Sequence, residues 1–436
     1  MRPALPRAEF TLIFLVLLVV AAGNTALQSV LPALGRALHL PDIAVAVFFS
    51  LSAIVWTWSA PYWARRSDTQ GRKRVILVGL TGFVVATLVG AVVMAVGLHG
   101  LLAPTLFIVL LAVARGVFGL FGSATMPASQ AYVAARTSRH DRTAALAQLA
   151  SAFGLGTILG PALAPFFVLP GVRLAGPLFV FAAVGIIVLL IVRARLPDDS
   201  QRAPDDATGS PAAMPSIGGA PSGASEVNAA DGSPPRLSWR DPRIRPWIVF
   251  GALSANAQAA SSQSLGFLVI DRMHMDPEAA QRFIGIALMA GAAAALLAQW
   301  GLINTFDMKP RDLIRWGAAF SAAGLGLLAF APDYHAIVVA YGLTGLGFGF
   351  TRPGYTAGPS LSVRPDEQGA VAGAVTAING GAFIFAPAIG IGLYQIGPHA
   401  PFLLSGIIML GLLWFARTST RLSANLDVRP AAAGDS

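Results

Sequence analysis

Long apolar runs separated by short polar joints set the pattern of this chain. A helix that crosses a membrane needs about 20 mostly apolar residues. Twelve runs fit: Phe10–Leu31, Ile43–Trp63, Val75–Val96, Leu102–Thr125, Ala144–Val168, Pro177–Arg193, Pro246–Ile270, Phe283–Ile303, Leu313–Ala331, Ala336–Ala357, Gly369–Tyr394 and Pro401–Arg417. The first, preceded by Arg2 and Arg7, has the outline of a secretory leader, but it continues to Val30 and eleven more runs follow. The pattern predicts an all-α membrane protein.

The sixth and seventh runs are separated by Leu196–Asp241, rich in Pro, Ala, Gly, Ser and Asp and nearly free of aromatic residues. Such a stretch cannot bury enough apolar area to offset its chain entropy, so disorder is expected. The chain thus divides into a six-helix bundle over 1–195, a linker over 196–243, a second six-helix bundle over 244–417 and a tail over 418–436. The halves also repeat. A shift of 226 residues sets Gly116 on Gly342, Gly119 on Gly345, Pro127 on Pro353, Gly154 on Gly380 and Pro161 on Pro387. Twelve transmembrane helices in two pseudo-symmetric bundles follow from the repeat.

Charge orients this arrangement. Of 30 Lys and Arg, 24 fall on the side of both termini, two lie within spans (Arg115 and Arg352), and four (Arg36, Arg173, Arg272, Arg282) fall on the other side. Basic residues stay on the cytoplasmic side, so both termini are expected inside, with the protein in the cell (inner) membrane. Only 12% of residues are charged and 55% are hydrophobic, against about 25% charged in soluble domains. The pI near 10.7 comes from Arg and Lys flanking the runs, so nucleic acid is not an expected partner. The chain has no Cys, which excludes disulfides and thiolate chemistry. The six His (39, 99, 140, 274, 335 and 399) fall in joints or at helix ends, so no metal site is expected. No phosphate-binding Gly-Lys-Ser/Thr loop occurs, and no nucleophile lies beside a spanning base, so no cofactor and no enzyme are expected.

The joint between runs two and three reads PYWARRSDTQGRKR, with Asp68-x-x-Gly71-Arg72-Lys73 inside it. This resembles the loop signature of the major facilitator superfamily, with Ala64 where the family has Gly. A shift of 239 residues sets Asp68 on Asp307 and Arg72 on Arg311, a degenerate second copy. Run four carries Arg115-Gly-Val-Phe-Gly119, similar to the family's helix-4 motif, which is associated with proton coupling. Run five carries Gly154-x-Gly156-x-x-x-Gly160-Pro161, similar to the motif of the twelve-helix drug/proton antiporter group; Ala164-Pro165 replaces that motif's closing Gly-Gly. The resemblance implies alternating access between two bundles, with Asp68 meeting the start of helix 11 when the cytoplasmic halves close. It also implies a central cavity lined by helices 1, 5, 7 and 11. Small-residue packing alone would also explain the run-five glycines.

All 21 acidic residues lie in joints, tails or at helix ends. Arg115 and Arg352 are therefore the charges at membrane depth, where an ionisable group is costly and usually functional. Arg352 is near enough to a helix end to snorkel. Arg115 has Asn24 and Gln28 as candidate partners. Polar pairs at helical spacing mark candidate cavity faces: Asn24 and Gln28, Gln148 and Ser151, Asn256 and Gln263, Thr376 and Asn379. Trp56, Trp58, Phe383 and Phe385 are candidate aromatic linings. The expected partners are a small-molecule substrate, protons and the lipid bilayer, with the chain acting as a monomer. Without a spanning carboxylate the expected substrates are neutral or anionic amphipathic compounds, and a coupled proton would ride on Asp42, Asp68 or Asp271. An organic-anion exchanger or uniporter, with Arg115 binding the substrate, is the competing expectation. A membrane enzyme or scaffold fits less of the pattern.

Replacing Asp68→Asn is expected to abolish most transport while leaving membrane insertion intact. Flux per inserted protein checks this, and wild-type flux would refute the hinge role of Asp68.

Overall fold

The computed structural model describes the backbone of residues 6–137, 139–198, 240–363, 367–419 and 422. Side chains of 68, 139–144, 147, 150, 368–370, 372–373, 376 and 379–380 lie outside that description. The disorder expected of the linker and tail falls on 199–239 and 423–436, also outside the described residues.

Twelve helices are present among the described residues: α1 Arg7–Ala37, α2 Asp42–Gln70, α3 Arg72–Leu98, α4 Pro104–Arg136, α5 Arg139–Leu163, α6 Gly176–Arg195, α7 Arg245–Met273, α8 Pro277–Thr305, α9 Pro310–Ala329, α10 Tyr334–Leu361, α11 Gln368–Ile396 and α12 Ala400–Thr418. Seven are long and apolar enough to cross a membrane on composition alone; α5, α7, α9, α10 and α11 are not among them. The described stretches of α5 and α11, Ser151–Phe167 and Gly381–Ile396, are shorter apolar helices, and α7, α9 and α10 mix polar residues and glycine among their apolar ones. Starts are set by Pro in the first turn of α4, α6, α7, α8, α9 and α12, where its missing N–H costs nothing. The Asp333 carboxylate accepts from Ala336 N at 2.9 Å to cap α10.

Helices outrun the apolar runs that predict them. Run two ends at Trp63, yet α2 continues to Gln70. Polar residues beyond the bilayer core keep their helical hydrogen bonds, and nothing stops the helix until Gly71, at φ +89°. The expected α2–α3 loop is a one-residue joint, because α3 starts at Arg72. That backbone angle suits glycine and strains other residues.

Packing repeats between the halves. α1 pairs with α5, α2 and α3 with α4, and α3 with α6; α7 pairs with α11, α8 and α9 with α10, and α9 with α12. Glycines set the close crossings at equivalent places. A methyl on Gly79 (α3) would lie 2.7 Å from Thr125 Cγ2 (α4), and one on Gly317 (α9) would lie 2.5 Å from Thr351 Cγ2 (α10). Thr125 and Thr351 are 226 residues apart, the same spacing that aligns Gly119 with Gly345. Gly119 packs on the Ser52 carbonyl of α2, and Gly345 on the Gly291 backbone of α8.

The two bundles meet mainly at one rim, opposite the chain termini. There a single apolar core runs through both, from Leu34, Phe48 and Met94 to Phe267, Ile284 and Tyr394. Toward the terminal rim the first bundle closes a core of its own, around Leu17, Trp63, Val75, Tyr132 and Leu149. α2 packs on α11 and α5 on α8, a pair of contacts exchanged by the two-fold relation of the halves.

Gly156 and Gly160 of α5 face α1, where a methyl on either would overlap the Leu18 or Ala22 carbonyl oxygen. Thr25 Oγ1 also reaches the Gly156 carbonyl at 3.4 Å. Gly160→Ala is expected to destabilise by about 1–3 kcal/mol, as overpacking does. Gly154→Ala, with open space at that position, serves as the matched control. Thermal unfolding in detergent should show a lower Tm for Gly160→Ala alone.

Candidate functional site

Arg115 sits in α4 one turn before a π-helical segment, Phe118–Gly122. The close approach of α4 to α2 at Gly119 places Ser52 beside it. Arg115 Nη2 donates to Asn24 Oδ1 at 2.9 Å and to Ser52 Oγ at 3.1 Å. The Phe118 ring lies 4.8 Å and the Phe49 ring 5.9 Å from the guanidinium carbon. The residue is 6% exposed, and Nε has no hydrogen-bond partner among the described residues. No carboxylate touches it among those residues. A guanidinium never releases its proton at working pH, so this is a fixed positive charge held by neutral oxygens and aromatic faces. A cavity of about 20 Å³ adjoins it, lined by Asn24, Thr87, Leu111, Arg115, Phe118 and Leu178. That is room for one water-sized guest.

Helix α1 presents the other polar groups. Between Val19 and Gly35 every residue is buried except Asn24 and Gln28, which stay half-exposed. These two therefore face open space within an otherwise enclosed helix. Gln148 and Ser151 of α5 are exposed, and Asn256 of α7 is half-buried with Nδ2 donating to Ala252 O at 2.8 Å. Gln263 is buried and its Nε2 has no hydrogen-bond partner among the described residues. Among the described residues no hydrogen bond joins Gln28, Gln148, Asn256 or Gln263 to Arg115 or to one another. Asn379 and Thr376 lie on α11, with side chains outside the description. Trp56 is a core residue packed 5.6 Å from the Phe118 ring, whereas Trp58 is 84% exposed. Phe383 is half-buried and Phe385 exposed.

Of the joint motif, Gly71 makes the α2–α3 turn, Arg72 is half-buried and engaged, and the Asp68 side chain is outside the description. Gly156, Gly160 and Pro161 are buried between α5 and its neighbours; the Pro161 carbonyl faces Gly285 of α8. Arg352 is half-buried in α10, with Nη2 enclosed and without a hydrogen-bond partner among the described residues.

A second constellation closes the rim opposite the termini. Arg36 at the end of α1 pairs with Asp42 at the start of α2 (Nε–Oδ1 2.9 Å) and with Asp271 of α7 (Nη2–Oδ2 3.3 Å). Tyr394 of α11 donates to the same Asp271 oxygen at 2.7 Å. The Phe267 ring lies 5.6 Å from the Arg36 guanidinium and 5.9 Å from the Tyr394 ring. Arg173, in the α5–α6 joint, pairs with Glu278 of α8, and Gln281 reaches Ser29 at 3.4 Å. All these links except Arg36–Asp42, Asp271–Tyr394 and Phe267–Tyr394 tie one bundle to the other. At the terminal rim the described ion pairs stay within a bundle. Glu9 meets Tyr132 and Arg136, and Arg243 meets Asp241 and Glu367. Hydrogen bonds from Arg243 hold the Asp241 carboxyl below the usual carboxylate range.

Sequence reasoning picks out Asp42 and Asp271 as rim acids but not Arg36 as their shared partner. Arg36 and Asp271 are 235 positions apart, and no periodicity links them. The one available signal was that Arg36 is among four basic residues on the side expected to be poor in them.

A family model described as Major Facilitator Superfamily matches residues 13–376 and 284–434. Multidrug resistance protein 1 of Bacillus subtilis (strain 168) is 26% identical over 404 residues, covering 90% of this chain and 93% of that protein. The class D tetracycline resistance protein of Salmonella ordonez is 33% identical over 147 residues, 33% of this chain and 34% of that one. Among solved structures, the human organic anion transporter MFSD10 (TETRAN) matches with a TM-score of 0.62 at 19% identity, covering 94% of this chain and 99% of that one. The nucleoside transporter NupG matches with a TM-score of 0.64 at 12% identity, covering 97% and 100%. At such identities these two likenesses are of fold.

Asp271→Asn keeps a partner for Tyr394 and removes the inter-bundle charge. A partly exposed ion pair contributes about 0.2–1 kcal/mol, so accessibility at this rim should rise up to about fivefold. The chain has no Cys, so Ser29→Cys beneath the cluster gives a single labelling site. Its reaction with a membrane-impermeant maleimide should be faster when Asp271→Asn is added. An unchanged rate would remove the latch role from this pair.

Proposed function

Since the chain belongs to the major facilitator superfamily, and is thus a multi-pass membrane transporter and not an enzyme, we propose that it exports small neutral or anionic amphipathic compounds across the cell membrane in exchange for protons. The observation that carries the substrate class is the Arg115 site. A fixed, buried positive charge stands beside neutral amides, with no acidic residue in mid-span. That field disfavours cations and tolerates neutral or negative guests. The export direction draws on the likeness to multidrug resistance proteins over most of the chain and on the Gly154–Pro161 motif.

In this reading both termini are cytoplasmic, and the structure corresponds to the inward-facing state. Residues 1–195 and 244–417 rock as two bundles about a midplane site, joined by the linker 196–243 and followed by the tail 418–436. The chain acts as a monomer. Gln28, Gln148, Asn256, Gln263 and Asn379 line the substrate path from several helices. Asn24 couples the path to Arg115, so a shift of α1 on substrate binding moves the charge. Asp68, Gly71 and Arg72 close the inner halves in the opposite state, and Arg352 gates the same end from α10. Arg115 cannot itself shuttle a proton. The coupled proton therefore uses a rim carboxylate, Asp42, Asp68 or Asp271, or enters on the substrate.

The unpartnered Nε of Arg115 favours one alternative, organic-anion exchange or uniport with the guanidinium as the substrate-binding cation. Proteoliposomes separate the two. Under an imposed pH gradient, with a panel of neutral and anionic amphiphiles, wild type is expected to show gradient-driven flux that a protonophore collapses. Exchange that ignores the gradient but vanishes in Arg115→Ala would replace proton antiport with anion transport.

A further inference from the structure

A third group of charges, unused by the transport reading, lies at the terminal rim where α9 meets α12. We propose that it binds the phosphate of an anionic phospholipid.

Arg311 and Arg315 are four residues apart on α9 and so share one face. Arg315 Nε donates to Ala416 O at 3.0 Å, in the last turn of α12. The next residue is Arg417. Among the described residues, the charged groups acting on Arg315 are Arg311, Arg417 and one carboxylate, Asp312. Three guanidiniums thus gather around one acid, an arrangement whose self-repulsion favours a further anion. Arg311 is also placed against its helix. It lies in the first turn of α9, where the helix dipole disfavours a cation and backbone N–H groups favour an anion. Its Nε is enclosed and has no hydrogen-bond partner among the described residues. An anion bridging these groups would satisfy that donor and relieve the repulsion together.

The surroundings identify the anion as a lipid headgroup. The helix contacts of α9 and α12 are with other helices of the second bundle. Trp316 (54% exposed) follows Arg315, and Trp414 (71% exposed) precedes Arg417 by three residues. Exposed Trp at the ends of spanning helices marks the level of lipid headgroups. Beyond them toward mid-membrane, Ile407 and Leu410 of α12 are exposed and apolar, a surface for acyl chains. A phosphodiester takes paired hydrogen bonds from a guanidinium, and basic pockets between spanning helices suit such headgroups. The proposal requires no direction of transport and no coupling ion.

The full chain, purified in mild detergent, would be mixed with phosphatidylglycerol and phosphatidylcholine of matched acyl chains, and retained lipid counted by native mass spectrometry. One phosphatidylglycerol per chain is expected to persist where phosphatidylcholine does not. The double substitution Arg311→Gln with Arg417→Gln should lower that occupancy at least tenfold, and Arg65→Gln on the same rim should leave it unchanged. Arg311→Lys with Arg417→Lys keeps charge and fold but loses the paired geometry, and should fall between. Phosphatidylglycerol retained equally by the Gln and Lys double variants would overturn the site. Millimolar inorganic phosphate displacing the signal would overturn the lipid assignment in favour of free phosphate.

Discussion

A guanidinium enclosed in a membrane bundle without a carboxylate beside it has to be held by neutral oxygens, and the first bundle is arranged around that requirement. Arg115 draws Asn24 from α1 and Ser52 from α2, with Phe118 and Phe49 over its faces. Those partners are available because α4 approaches α2 at Gly119 and α5 approaches α1 at Gly156 and Gly160. A side chain at any of these glycines would separate the helices that supply the oxygens. In the second bundle the position equivalent to Arg115 is Tyr341, which packs on Gly291 of α8. The halves therefore share their crossings but not their chemistry.

The rim opposite the termini carries the complementary constraint. Two carboxylates, Asp42 and Asp271, share one guanidinium, and only the Asp271 link crosses between bundles. With Arg173–Glu278 and the packing of Gly266 on Pro32 and Gly285 on Pro165, it joins the bundles where their apolar cores are continuous. At the terminal rim the described ion pairs lie within bundles, so the two cores can part there without breaking them. Among the described residues, then, the ties of charge and apolar contact between the bundles gather at the rim opposite the termini.

Composition and run length were sufficient for the helix count, because a bilayer leaves the backbone few options and a spanning helix must be long and apolar. The repeat was legible in Gly and Pro spacing, since close crossings tolerate few other residues. Gly119 and Gly345 sit at matching crossings. Arg115 stood out as a charge within a run, and Asn24 as a polar residue within reach of it. The α2–α3 joint is shorter than the apolar runs predict, because hydropathy records where the bilayer ends and not where helical hydrogen bonding stops.

The sequence by itself thus determined the class of the protein, the number and order of its helices, their two-fold repetition and the few residues able to place charge or polarity in the membrane. These are properties of local composition and spacing. Only the tertiary structure decided which of those residues meet. It paired Arg115 with Asn24 and Ser52, left Gln28, Gln148 and Asn256 on separate helices, moved Trp56 into the core, and assembled Arg36, Asp42, Asp271 and Tyr394 from four helices into one cluster. The physical reason is that side-chain contact across helices depends on crossing angles and rotation about each helix axis. In an apolar solvent, packing of small residues sets these, and no single stretch of the chain records them.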